Sequence, residues 1–84
     1  MTDQEILNAM SPRDKGILIA YAECGMRPSR TARKHFISHQ GVEYHLRRVR
    51  ANTGLDPRNF FQLYRLVNLI IKEREDYDNG REGS

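Results

Sequence analysis

The sequence predicts an all-α fold, a small bundle of four to five helices whose last helix is long. Three observations predict it. Apolar residues recur at helical spacing, as in Val42, Leu46 and Val49, and no alternating strand pattern competes. Each such run is bracketed by punctuation, with Ser11-Pro12, Pro28-Ser29 and Asp56-Pro57 as starts and Gly25 and Gly54 as stops. At 84 residues the chain suffices for one domain and not two.

The elements follow in order. Thr2, with Glu5 three residues on, forms a capping box for a short helix carrying Ile6, Leu7 and Met10. Ser11-Pro12-Arg13-Asp14 opens a second helix: Ser11 caps, Pro12 suits the first helical position, and Asp14 complements the N-terminal dipole. Its apolar face is Ile17, Leu18, Tyr21 and Ala22, and Gly25 ends it. Ser29 is expected to cap a third helix from Arg30 to about Phe36, with Ala32 and Phe36 inward. A tight connection at residues 37–39 leads to a fourth helix, about residues 40–53, with Val42, Leu46 and Val49 inward and Gly54 as its stop. Asp56-Pro57 is expected to start the long helix, ending near Lys72, with Phe60, Leu63, Tyr64, Val67, Ile70 and Ile71 as its core face. Residues 1–74 are read as the folded domain and 75–84 as a charged, disordered tail.

Charge is distributed unevenly. Between Arg27 and Arg50 seven basic residues face one acid, Glu43, a local charge of +6, whereas residues 73–84 carry five acids against two arginines, a local −3. A basic segment beside an acidic end suits a polyanion partner. No apolar run approaches the roughly 20 residues that span a bilayer, so no membrane association is expected. The polar start Met1-Thr2-Asp3-Gln4-Glu5 does not read as a secretory leader, and the single Cys24 fits a reducing, cytoplasmic compartment.

Residues 29–49 are the informative stretch. Two helices that cross closely around a turn need a small residue early in the first, and Ala32 supplies it. They need an apolar plug after the turn, Ile37, and two inward positions one turn apart in the second helix, Val42 and Leu46. That is the pattern of a helix-turn-helix. In this register Gln40, Glu43, Tyr44 and Arg47 turn outward, able to reach base edges in a major groove. Ser29, Arg30, Arg33, Lys34, His39 and Arg48 flank them as candidate phosphate contacts. Double-stranded DNA is therefore the expected partner and sequence-specific transcriptional regulation the expected function. The alternative is a module of the same shape that binds a transcription-machinery protein instead.

Ala20-Tyr21, Glu23, Ser29-Arg30-Thr31-Ala32, Ile37, Val42, Tyr44, Leu46, Arg48 and Thr53-Gly54-Leu55-Asp56 resemble the C-terminal helix-turn-helix of PucR/CdaR-type regulators, which control purine or sugar-diacid catabolism genes. The resemblance covers roughly Ala20 to Phe60 and implies DNA binding. A looser likeness joins Met10-Ser11-Pro12-Arg13-Asp14, Phe36-Ile37-Ser38, Val42 and His45-Leu46 to LuxR/GerE-type domains. The PucR/CdaR pattern after the turn usually reads Ile-His-x-Asn-Thr, and here it is Ile37-Ser38-His39-Gln40-Gly41. Gly41 in a first helical turn costs about 1 kcal/mol of propensity.

Other chemistry is weakly represented. His35, His39 and His45 have no recognised ligand spacing, and Cys24 falls on another helix, so neither a metal nor any other cofactor is expected. No phosphate-cradling loop or paired acids suggest an enzyme. On the wheel of the last helix, Leu66 and Leu69 project away from the expected core face, with Leu63 and Ile70 on the border. These four are expected to form a homodimer interface, as the LuxR/GerE likeness also implies; the alternative is that Leu66 and Leu69 pack under the N-terminal segment, against Ile6, Leu7 and Met10.

Overall fold

The computed structural model describes residues 1–82, with side chains to residue 77. Five helices follow one another: α1 Asp3–Asn8, α2 Pro12–Glu23, α3 Pro28–His35, α4 His39–Thr53 and α5 Phe60–Glu82. The last helix thus runs on past its expected end near Lys72 to Glu82, through the helix formers Glu73, Arg74 and Glu75. Positions 83 and 84 lie outside the described residues.

Both N-terminal capping boxes form. The Thr2 N–H donates to Glu5 Oε1 and the Glu5 N–H to Thr2 Oγ1, each at 3.1 Å. The Ser11 N–H donates to Asp14 Oδ2 at 2.9 Å and the Asp14 N–H to Ser11 Oγ at 3.0 Å. Gly25 (φ 66°) and Gly54 (φ 77°) take the left-handed conformation after α2 and α4. Helix α3 begins one residue before Ser29: Pro28 takes the first position, and Arg27 precedes it without a side-chain cap.

Two further starts and faces differ from expectation. Asp56 does not cap α5; its Oδ1 accepts the Arg58 N–H at 2.9 Å in a turn, and Asn59 caps instead, accepting the N–H groups of Phe61 at 3.0 Å and Gln62 at 3.2 Å. Phe36 does not turn inward. It ends α3 in the left-handed conformation (φ 55°) and is 95% exposed. The Ile37 N–H closes back on the Ala32 carbonyl at 3.0 Å, so the chain must reverse at Phe36, and that reversal throws its ring outward.

The conformation at Phe36 is one a glycine adopts without a Cβ penalty of ~1–2 kcal/mol. Phe36→Gly is therefore expected to raise stability by about 0.5–1 kcal/mol in urea unfolding, net of glycine's greater unfolded-state entropy. A destabilised variant would mean that the ring makes contacts the fold needs.

The core gathers Ile6, Leu7 and Met10 from α1 and its exit, Ile17, Leu18 and Tyr21 from α2, and Ala32 from α3. Val42, Leu46 and Val49 of α4 and Leu63, Leu66 and Ile70 of α5 complete it. Helix α2 is central: it packs against α3, α4 and α5, while α5 rests on α2 and α1. The face assigned to α5 is thereby corrected. Leu66 is 0% exposed, Leu63 and Ile70 are also buried, and Leu69 is half-buried against the same core. They are unavailable as a subunit interface because α1 covers that side of α5, with Leu7 beside Leu69. Phe60, Tyr64 and Ile71, assigned to the core, are exposed instead.

Candidate nucleic-acid interface

Helices α3 and α4 pack closely across the turn at residues 36–38, with Ala32 buried near the crossing, Ile37 half-buried as the plug, and Val42 and Leu46 fully inward. Ser38 opens α4, its Oγ accepting the Gly41 N–H at 3.0 Å. A Cβ on Gly41 would stand 3.3 Å from Ser38 Oγ and 3.5 Å from Ile37 Cδ1, so the glycine gives room to the cap and the plug.

The inward set of α4 fixes what remains outside. Gln40, Tyr44 and Arg47 recur at i, i+4 and i+7 on the opposite side, and all three are exposed. Gln40 and Arg47 have no side-chain partner among the described residues; Tyr44 accepts a long 3.5 Å bond from Arg48 Nη1, and its ring meets that of His45 edge to face at 5.3 Å between centroids. Arg30 and Arg33 on α3 are likewise exposed and without an ion-pair partner among the described residues. Ser29 lies exposed on the first turn of α3.

Other candidates have charged partners within the molecule. Glu43 is half-buried between Arg58, with which it forms an ion pair, and His39, whose Nε2 is 3.4 Å from Glu43 Oε1. Lys34 pairs with Glu23 at 3.2 Å, both well exposed. Arg48 reaches back to the core side, its Nε 3.3 Å from Asp14 Oδ2.

That last contact belongs to a cluster that sequence reasoning missed. Asp14 has 0% exposure, and its carboxylate meets three groups: the Ser11 N–H, Arg48, and His45 Nδ1 at 2.7 Å. Burial is the largest single influence on Asp14 and pushes its carboxyl up. The bonds from His45 and from the backbone and hydroxyl of Ser11, with the charge of Arg48, together outweigh burial and hold it below the ordinary aspartate value. The cluster ties the start of α2 to the middle of α4. The capping box was a partial signal, since it placed Asp14 at the helix start. Which residue of a helix 31 positions later would meet its other oxygen depends on how α2 and α4 cross.

Among the described residues no group of three or more His, Cys, Asp and Glu is arranged to hold a metal ion. No helix among them is long and apolar enough to cross a membrane.

A short helix with a buried alanine, a three-residue turn with an apolar plug, and a second helix with an open polar face define a helix-turn-helix domain. The family model of the PucR C-terminal helix-turn-helix domain matches residues 16–68, most of the chain, and the chain belongs to that family. No curated protein and no solved structure matches it.

Proposed function

We propose that the chain is the DNA-binding part of a sequence-specific transcriptional regulator, with α4 as the helix that enters the major groove. The observation that carries this reading is the state of the outward α4 face. Gln40, Tyr44 and Arg47 are exposed and without a strong intramolecular partner, while Glu43, the one acid in the basic stretch, is tied to Arg58. Glutamine pairs with adenine and arginine with guanine in a bidentate manner, and tyrosine offers a hydroxyl and an apolar edge. Arg30 and Arg33, with Ser29 beside them, stand as phosphate contacts that set register, and Lys34 joins them by exchanging its exposed Glu23 partner for phosphate. Arg48 and His39 take positioning roles within the protein instead.

Binding to duplex DNA should weaken with salt, each neutralised phosphate contributing about −0.9 to the log–log slope. Arg30→Ala and Arg33→Ala should each flatten that slope by about one unit and weaken all sequences alike. Arg48→Ala, acting through Asp14, should leave the slope nearly unchanged. Titration of labelled duplexes at several salt concentrations checks this. Salt-independent binding, or none tighter than ~10⁻⁴ M, contradicts the reading.

A further inference from the structure

After the core is closed, α5 still carries a second apolar stripe. Phe60, Tyr64, Val67 and Ile71 recur at i, i+4, i+7 and i+11, the spacing of a helix-pairing seam. Phe60 is 60% exposed, Tyr64 61% and Ile71 41%, and the adjoining Phe61 is 79% exposed. The rings form one cluster, with Phe60 and Phe61 edge to face at 5.4 Å and Phe60 and Tyr64 stacked at 6.4 Å between centroids. An apolar groove lined by Ala22, Gly25, Met26 and Leu63 continues this face toward α2.

We propose that a second copy of this chain covers this face, its α5 lying antiparallel to the first across a two-fold axis between Tyr64 and Val67. Area, charge and position support that occupant. Aromatic side chains bury ~150–250 Å² each, so at these exposures the stripe offers on the order of 450 Å² per copy, or ~900 Å² in a symmetric pair. That lies below the size of standard specific interfaces, the range of weak, reversible association. The charge of α5 sets the direction. Residues 73–82 carry a local −3, so parallel pairing would bring two acidic ends together, whereas antiparallel pairing keeps them at opposite ends of the seam. The exposed α5 stripe shares no residue with the outward α4 face of Gln40, Tyr44 and Arg47. The self-pairing itself does not depend on DNA binding. Where both hold, the pair presents two recognition helices to two half-sites.

Sedimentation velocity of the full chain from about 5 to about 200 μM tests the pairing without DNA. The wild type is expected to shift from one chain to two across that range. The double variant Phe61→Glu, Tyr64→Glu is expected to remain a single chain at concentrations at least tenfold higher, with unchanged helical circular dichroism. If the double variant loses its fold, Phe61→Ser decides, since that ring is the most exposed of the cluster. It should keep the fold and weaken pairing several-fold. A wild type that stays monomeric throughout, or pairing as strong in folded Phe61→Ser as in the wild type, overturns the proposal.

Discussion

Replacing Asp14 by alanine is expected to cost about 2–4 kcal/mol of stability, about 1 from the lost helix cap and about 1–3 from the buried His45 donor left without its acceptor. Three effects combine. The α2 cap loses its return bond from Ser11, the His45 Nδ1–H loses its acceptor, and Arg48 loses its counter-charge. A domain of this size has roughly 4–12 kcal/mol in total, so the variant should melt at markedly lower urea concentration and populate unfolded chains without denaturant. Asp14→Asn keeps the shape and part of the capping and should lose less.

The same carboxylate gives the pH dependence a sign. Its folded pKa is lowered, so its stabilising contribution is present above the unfolded value of about 3.9 and is lost as pH falls through the lower folded value. Wild-type stability should therefore decline below about pH 4 more steeply than that of Asp14→Asn. A loss under about 1 kcal/mol in Asp14→Ala, or equal acid sensitivity in the two proteins, would show the cluster to be incidental.

Leu66→Ala is expected to cost about 2–5 kcal/mol, because the side chain is fully enclosed and the site cannot collapse without moving α1 or α2. Phe61→Ala, five residues earlier on the same helix, should change the stability of the single chain by no more than about 0.5 kcal/mol. Urea unfolding at low protein concentration separates the two. Comparable losses at both positions would contradict the assigned register of α5.

That register is where the sequence was least legible. α5 carries two apolar stripes at helical spacing, one through Leu63, Leu66 and Ile70 and one through Phe60, Tyr64, Val67 and Ile71. Periodicity alone does not rank them, and the bulk of the aromatic stripe favoured the wrong one. Tertiary context decides, because α1 brings Ile6 and Leu7 onto the leucine side. Phe36 was misplaced for a related reason: its spacing from Ala32 reads as one helical face, yet α3 ends there and the left-handed turn reverses the direction of the side chain.

Where local chemistry suffices, the sequence was read correctly. The capping boxes at Thr2 and Ser11, the glycine stops at Gly25 and Gly54, and the inward set of α4 follow from neighbours within four residues. The outward positions Gln40, Tyr44 and Arg47 inherit that certainty because they are the complement of Val42, Leu46 and Val49. Partnering was not legible. That Glu43 would meet Arg58, and Asp14 both His45 and Arg48, requires knowing how helices cross.

The central claim, that the outward face of α4 reads base sequence, is tested most directly by selecting bound duplexes from a randomised pool at fixed salt, with the wild type and Arg47→Ala in parallel. The wild type is expected to enrich a defined motif. The variant, folded to the same degree, should lose preference at the position Arg47 reads, worth ~1–3 kcal/mol of discrimination, and retain it at the others. A pool that emerges unenriched from the wild type, or a motif identical in the two proteins, would contradict the assignment of Arg47 and the reading built on it.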